Sequence, residues 1–327
     1  MNPYRTIVTP PRAPFSLNHQ DRIVSIGSCF SENIGKKLND HKFRINVNPF
    51  GQQYNPYSVA IALQRLLQPV PYTESDLVYH NELFHSFDHH GDFSMPTAEL
   101  TLKGINQNLT QASEDLKRAT KLFLTFGTSH VFRLRETGKI VSNCHKLSGS
   151  HFERGLLKPE EIVENLEHAL QKLIKINSEI QVIFTVSPVR YFAFGHHENS
   201  VSKAHLFTAI HALQQTHPKH FYFPAYELVM DDLRDYRFFS EDMLHPNYEA
   251  TNYVWQALCN TFMDKDCLQL LKSIGEILQA ARHRPRHSQS LAHQKFVSQT
   301  IKKLEVLENI HSLDFTAERQ LLLANQK

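Results

Sequence analysis

Five short strand-like segments, separated by segments of helical pattern, constrain the fold of this chain most strongly. Each is rich in β-branched or aromatic residues and is bounded by turn-forming residues, as buried strands are. The five are Arg22–Gly27, Phe43–Val47, Leu122–Phe126, Gln181–Val186 and Phe221–Phe223. Because helices separate strands that share one sheet, consecutive strands are expected to be parallel. The pattern predicts an α/β fold, a three-layer α/β/α sandwich around a mainly parallel five-stranded sheet.

The segments between these strands carry the helical pattern. Helices are predicted over residues 57–67, 96–119, 157–176 and 204–215. A hairpin is predicted over residues 131–142, where Gly138 can take a positive φ. After residue 263 the pattern is helical, with a break near His283–Pro285. We therefore expect a main domain over residues 1–263 and a helical C-terminal extension, packed on it, over residues 264–327.

Composition and charge exclude several classes of protein. The 327 residues contain 35 Lys plus Arg and 33 Asp plus Glu, a formal charge of +2, which argues against a nucleic-acid binder. No apolar run approaches the ~18 residues of a membrane span, and the N-terminus lacks the apolar core of a secretory signal. The four cysteines form no C-x-x-C pair. We expect a cytoplasmic protein with free thiols that binds neither nucleic acid nor membrane, and no oligomeric state is predicted.

Polar or glycine-rich residues follow the predicted strands. In open parallel sheets, ligands bind at the carboxyl ends of the strands. The sets expected there are Gly27–Cys29, Asn48–Gln53, Gly127–His130, Ser187–Arg190 and Asp242–His245. The sequence therefore predicts one functional site at this edge of the sheet.

Cys29 follows the first strand and begins a predicted helix. The first backbone N–H groups of a helix are unpaired, and its dipole favours negative charge. A thiol there is expected to have a lowered pKa, and the same N–H groups can hold an oxyanion. The alternative is a small turn residue followed by a buried structural cysteine.

Asp242 and His245 are separated by two residues. This spacing lets the carboxylate reach one imidazole nitrogen while the other nitrogen faces a nucleophile. A D-x-x-H string is frequent by chance, but its place in a loop just before a helix makes it informative. Asn247 is predicted to cap that helix.

Several motifs occur in a fixed order: IGSCFSENIG, NPFG, FGT, NCHK, TVSPVR and EDMLHP. From about Pro14 to beyond Arg284 the chain resembles the GSCFA family. That family is in turn distantly similar to the SGNH (GDSL-like) hydrolases, whose fold is a three-layer α/β/α sandwich.

The resemblance to the SGNH enzymes implies a catalytic triad. Their first block, G-D-S, carries a serine nucleophile, and it falls on Gly27, Ser28 and Cys29. Cys29 is therefore the implied nucleophile, although Ser28 is an alternative because serine is replaced by cysteine. The last block, D-x-x-H, implies Asp242 as the orienting acid and His245 as the general base.

The resemblance also implies an oxyanion hole. Its donors would be the Cys29 amide and Gly51, the match to the glycine of the second block. The third block, G-x-N-D, falls on Gly127–His130 and lacks the asparagine. Ser129 or Asn143 is the candidate replacement.

The remaining polar candidates are predicted to bind substrate. The segment around His85, Asp88, His89 and His90 could hold a metal, but adjacent imidazoles of an extended chain point to opposite faces. Lining of the substrate pocket is therefore favoured, and neither a metal nor a cofactor is expected. The predicted substrate-binding residues are Asn48, His85, His89, His130, His145 and Arg190. Arg190 could bind an anionic group or pair with a surface carboxylate.

These features predict an enzyme that hydrolyses acyl esters, with carbohydrate O-acetyl esters as one candidate class, through a Cys/Ser-His-Asp triad. The substrate would be a small-molecule or glycan ester. One alternative is an acyltransferase acting on sugars. The other is a binding module that keeps the cleft and has lost the reaction.

Overall fold

The computed structural model describes residues 4–324. Its strands are β1 (Arg22–Gly27), β2 (Arg44–Val47), β3 (Leu77–His80), β4 (Leu83–Ser86), β5 (Lys121–Phe126), β6 (His130–Leu134), β7 (Ile140–Val141), β8 (Phe152–Leu156), β9 (Gln181–Val186) and β10 (His220–Tyr222). Its helices are α1 (Cys29–Asp40), α2 (Pro56–Leu67), α3 (Ala98–Lys117), α4 (Pro159–Ile176), α5 (His196–Thr216), α6 (Ala225–Glu227), α7 (Tyr248–Phe262), α8 (Lys265–Arg282), α9 (Leu291–His311) and α10 (Thr316–Ala324).

The main sheet contains the five strands that the sequence predicts. Their order is β10-β9-β5-β1-β2, and every neighbouring pair is parallel. All six residues of β5 are buried, as expected for a strand covered on both faces. The predicted parallel α/β fold is confirmed.

Helices cover both faces of the sheet. Apolar residues of α2, α3, α4 and α5 pack with the sheet in one buried cluster. Those of α1, α7 and the first turns of α8 form a second cluster on the other face. A third cluster joins α8, α9 and α10, so the C-terminal region is helical, as predicted.

Two smaller sheets were only partly predicted. The hairpin of β6 and β7 is present with Gly138 at φ +71°, but β8 pairs with β6 as a third strand. Likewise, the strand-like pattern of residues 83–87 predicts β4, and β4 pairs with β3, which no pattern predicts. Neither β3 nor β8 is a continuous apolar run, and most of their residues are at least partly exposed.

Helix α5 begins at His196 rather than at Ala204. Its first two turns are polar, which hides them from a search for apolar periodicity. Three polar side chains of these turns, Asn199, Ser202 and Lys203, are nevertheless buried. Of these three, Lys203 contacts the strand ends at the candidate site.

Candidate active site

The site lies where the strand order reverses. Strands β1 and β5 are neighbours, yet the chain continues from β1 to β2 on the opposite side. Such a switch point opens a crevice at the carboxyl ends of the two central strands. The segments that follow β1 and β5 are in contact, because a Cβ placed on Gly127 would lie 3.6 Å from the Ser28 Cβ.

Cys29 and Ser28 differ in accessibility at this crevice. Cys29 is the first residue of α1 and is partly exposed. Ser28 precedes the helix and is only 1% exposed, and its hydroxyl has no hydrogen-bond partner. Only the thiol is therefore open to a reactant from solvent.

The expectation of a lowered thiol pKa at Cys29 is wrong. Burial raises the pKa of this thiol above its ordinary value. The backbone N–H groups of Cys29 and Phe30 hydrogen bond to the sulfur and oppose this effect, as does the charge of Lys203, but they do not outweigh burial. The helix N-terminus is present as predicted, but sequence alone does not show how far the sulfur is removed from water.

A hydrogen-bonded chain that the sequence did not suggest lies beside Cys29. The Tyr54 hydroxyl donates to Gln52 Oε1 at 2.5 Å, and Gln52 Nε2 donates to Glu32 Oε2 at 2.6 Å. Burial raises the pKa of Tyr54 to about 12, and Cys29 contributes to this shift. Tyr54 therefore remains a neutral hydrogen-bond donor near the thiol.

Asp242 and His245 form the hydrogen bond that their spacing predicts. Asp242 Oδ2 accepts from His245 Nδ1 at 2.6 Å, which leaves Nε2 of the ring for another partner. Asp242 Oδ1 also accepts the backbone N–H groups of Leu244 and His245. These backbone bonds, followed by the His245 side chain, lower the pKa of Asp242 to about 2. Asn247 caps α7 as predicted.

The loop that carries His245 borders the same helix that Cys29 begins. Asn33, one turn after Cys29, lines a cavity of about 1140 Å³ together with Ser240, Pro246 and Asn247. Among residues 4–324, however, no hydrogen bond joins His245 to Cys29 or Ser28. The two halves of the predicted triad are therefore not hydrogen bonded to each other, although residues near each of them line one cavity.

Lys203 ties the two strand ends beside Cys29 together. Its side chain is buried, and its Nζ donates to the carbonyl oxygens of Gly127 at 2.6 Å, Ser187 at 2.6 Å and Val189 at 2.9 Å. Burial lowers the pKa of Lys203 to about 7, whereas the three acceptors oppose deprotonation because a neutral amine has only two N–H donors. Lys203 was not predicted from the sequence, because the first turns of α5 are polar and show no apolar periodicity.

Most of the predicted oxyanion donors already have acceptors. The N–H of Gly51 donates to Asn48 O, and that of Gly127 donates to Tyr54 O. The N–H of Ser129 donates to Ser202 Oγ, on α5, and Ser129 is fully buried. In this conformation these three N–H groups are engaged within the protein.

Asn143 lies outside the two strand ends, in the segment after β7. Its Oδ1 accepts from His145 N, and its own N–H contacts Phe87 O at 3.4 Å. Its oxyanion role stays a prediction.

The predicted substrate-binding histidines lie in the protein interior. Both ring nitrogens of His85 are hydrogen bonded, one to the Ser94 hydroxyl and the other to His80 O. His145 Nε2 bonds to Ser86 O, and its ring stacks on His85.

His89 and His130 are also buried. Burial lowers the pKa of His89 to about 3, so its ring is neutral. Burial likewise lowers the pKa of His130, whose ring lies against Tyr191 and Phe194.

Asn48 has a positioning contact at the end of β1. Its side-chain Oδ1 accepts the backbone N–H of Gly27 at 2.9 Å, and its backbone N–H donates to Ser25 O. The side chain thereby fixes the turn that leads into Ser28 and Cys29.

A scan against protein-family models matches most of this chain to one family. The model of the GSCFA family matches residues 22–258, which is more than half of the chain. The chain belongs to the GSCFA family. A second model, the C-terminal domain of GSCFA domain proteins, matches residues 274–325. No curated protein matched the chain.

The first matched region of this GSCFA chain includes the whole candidate site. It begins with β1 and ends within α7, so Cys29, Lys203 and His245 all lie inside it. The C-terminal match covers the later turns of α8 together with all of α9 and α10. These helices contain the third apolar cluster.

Two further properties of the GSCFA chain concern metals and membranes. Within residues 4–324, no three His, Cys, Asp or Glu side chains are grouped so that they could hold a metal ion. In the same range, no helix has the length and apolar character needed to cross a bilayer.

Proposed function

We propose that this GSCFA protein is an acyl-ester hydrolase that uses Cys29 as its nucleophile. The observation that supports this most directly is the place of the thiol. It is partly exposed at the N-terminus of α1, at the reversal of the strand order, with two backbone N–H groups directed at it. Helix N-termini at such crevices favour the negative charge that develops in acyl transfer.

In the proposed reaction, His245 Nε2 removes the thiol proton and the Cys29 sulfur attacks the ester carbonyl carbon. The C–S bond forms, the C–O bond breaks, and the leaving alkoxide takes the proton from His245. Water then gives a proton to His245 and attacks the thioester carbon; the C–S bond breaks, the acid leaves, and the Cys29 sulfur takes the proton back from His245. Because burial raises the pKa of Cys29, the thiol needs such a base near neutral pH. The loop of His245 must approach Cys29 for this step, as catalytic contacts often tighten only on binding.

Asp242 is proposed to orient His245. Its bond to Nδ1 fixes the tautomer that leaves Nε2 free to accept a proton. Among possible oxyanion donors we favour the Cys29 amide, since it already points to the sulfur. Roles for Gly51, Gly127, Ser129 and Asn143 would require their present hydrogen bonds to rearrange.

The test is turnover of 4-nitrophenyl acetate with detection of an acetyl group on Cys29 by mass spectrometry. Cys29→Ala and His245→Ala should each lower the rate by about 100-fold or more. Ser28→Ala should stay within about threefold, because the Ser28 hydroxyl is buried and unpartnered. Cys144→Ala is the matched control, since Cys144 is another partly exposed thiol.

Four results would contradict the proposal or refine it. Undiminished turnover in Cys29→Ala would remove the thiol from the mechanism, and loss of turnover only in Ser28→Ala would make Ser28 the nucleophile. No turnover of any short acyl ester, with tight binding of a glycan, would favour a binding module. Acetyl transfer to an added sugar alcohol faster than to water would identify an acyltransferase.

A further inference from the structure

Arg190 is a predicted substrate-binding residue whose guanidinium contacts other parts of the protein. It follows β9 and reaches the loop that carries His245, where its Nη2 donates to Met243 O at 3.0 Å. Its Nε is enclosed by protein and has no hydrogen-bond partner in the structure. The side-on Nε/Nη2 edge, which binds carboxylates in two-point pairs, is therefore closed to a solute.

Aromatic rings hold the guanidinium in this position. The Arg190 Cζ lies 5.0 Å from the ring centre of Phe192, 5.3 Å from that of Phe239 and 5.7 Å from that of Tyr236. Contacts of this length are favourable cation–π interactions. The cavity of about 320 Å³ beside Arg190 is lined by Arg234 as well as by Asp231 and Asp235, so the charges of its two arginines and two aspartates balance and do not select an anionic ligand.

The loop that Arg190 contacts is closed by its own hydrogen bonds. Ser240 N donates to His245 O at 2.8 Å, and Met243 N donates to Ser240 O at 2.9 Å. Met243 has φ +57°, a left-handed conformation that is unfavourable for a residue with a side chain. Such a conformation persists only where the surroundings fix it, and the Met243 carbonyl is the atom that Arg190 holds.

The other end of the Arg190 segment is fixed by Lys203. The two carbonyls of this segment that Lys203 binds are those of Ser187 and Val189, directly before Arg190. The same ammonium binds Gly127 O at the end of β5. A continuous set of polar contacts thus runs from the strand ends near Cys29 to the loop of His245.

We propose that Arg190 is a positioning residue that holds the Asp242–His245 loop against the carboxyl edge of the sheet. This inference rests on the proposed function in one respect, because the role of the loop in turnover depends on His245 being the base. The restraint on the loop itself does not depend on any reaction.

The test compares Arg190→Met and Arg190→Lys with Arg237→Met in the full-length protein. Arg237 is the matched control: it lies near the same loop, its side chain is 75% exposed, and its salt bridge is to Asp235. Hydrogen exchange measured by mass spectrometry should be about tenfold faster over residues 239–247 in both Arg190 variants. It should be unchanged there in Arg237→Met.

Kinetics with 4-nitrophenyl acetate supply the second measurement. Both Arg190 variants should lose kcat by about 10-fold or more with KM within about twofold, because a released loop brings His245 towards Cys29 less often, whereas substrate binding is unchanged. Arg190→Lys should fail like Arg190→Met, since lysine keeps the charge but not the planar fork. Added methylguanidine should restore part of kcat to Arg190→Met.

Each outcome decides the inference. Unchanged exchange over residues 239–247 in a folded Arg190 variant would overturn it. So would a raised KM with unchanged kcat, which would restore Arg190 as a substrate-binding residue. If no ester is turned over even by the wild type, the proposed function fails, and the exchange measurement still tests the restraint. If Arg190→Met does not fold, the milder Arg190→Lys decides by the same exchange measurement.

Discussion

At the scale of single residues, the Cys29 thiol gives a prediction whose sign is set by burial. Burial raises its pKa above the ordinary value, so the reactive thiolate is scarce at neutral pH unless a base removes the proton. In a His245→Ala variant, the rate of Cys29 alkylation by iodoacetamide should therefore continue to rise with pH beyond ~8.5, the ordinary pKa of a thiol. Mass spectrometry of the peptide that contains Cys29 measures this rate.

A plateau of that rate below pH ~8 would contradict the prediction. It would mean that the N–H groups of Cys29 and Phe30 lower the pKa more than burial raises it. Cys144 supplies an internal comparison in the same sample, because burial raises its pKa to about 11.

The same residues show what sequence can and cannot reveal at this scale. The Asp242–His245 hydrogen bond follows from local spacing, and the structure contains it. The direction in which the Cys29 pKa is shifted does not follow from local spacing, because desolvation depends on side chains far away in sequence. Lys203 was missed for the same reason: its three acceptors come from two strand ends that only the fold brings together.

At the scale of secondary structure, the glycine that ends β1 is required by the approach of β5. A Cβ on Gly27 would lie 2.3 Å from Thr125 O, a backbone atom that cannot move aside cheaply. We predict that Gly27→Ala lowers the free energy of unfolding by about 3 kcal/mol or more, or prevents folding. Urea denaturation followed by circular dichroism measures this change.

Gly104 is the matched control for that substitution. It lies within α3, and a Cβ placed on it would meet nothing within 4 Å. Gly104→Ala should stabilise the protein by about 0.5–1 kcal/mol, because alanine has the higher helix propensity. Equal effects at the two glycines would contradict the steric argument.

Lys203 gives a second prediction at this scale, since it joins α5 to the ends of β5 and β9. Lys203→Met should lower the free energy of unfolding by about 2–4 kcal/mol, because three carbonyls lose their donor. It should also lower ester turnover. The control is Lys175→Met, at an exposed position of α4. A Lys203→Met protein as stable and as active as wild type would show that water replaces the ammonium without cost.

Secondary structure was predictable where one physical signal dominates. The five strands of the main sheet are short segments that packing on both faces requires to be mainly apolar, and all five are found. The start of α5 was missed because its buried residues there are polar and are satisfied by tertiary contacts. Strands β3 and β8 were missed because most of their side chains are at least partly exposed, so neither strand is a buried apolar run.

At the scale of the whole molecule, helix α8 joins the C-terminal helices to the main domain through apolar contacts. Cys267 and Leu271, early in α8, belong to the apolar cluster of α1 and α7, whereas Ile274 begins the cluster shared with α9 and α10. Helix α8 therefore contributes side chains to both apolar clusters. The predicted boundary at residue 263/264 stays a prediction, and these contacts favour a transition within α8.

The Lys42–Glu318 ion pair connects the turn after α1 to α10. Its Nζ–Oε2 distance is 2.8 Å, and the two side chains are only 16% and 11% exposed. The Lys42 ammonium also lies 5.0 Å from the ring centre of Phe315, within the third cluster. Because removal of one partner leaves a largely buried charge unpaired, Glu318→Leu should lower the free energy of unfolding by about 1–3 kcal/mol. Hydrogen exchange over residues 316–324 should become faster.

The combination of Glu318→Leu with Lys42→Met distinguishes a specific pair from general packing. If the charges interact, the double variant should be less destabilised than the sum of the single variants by about 1–2 kcal/mol, measured by urea denaturation. The Lys303–Glu276 pair is the control, because at 3.5 Å and 69% and 54% exposure it should show coupling of less than ~0.5 kcal/mol. Strict additivity at Lys42 and Glu318 would mean that apolar packing alone holds α10 against the main domain.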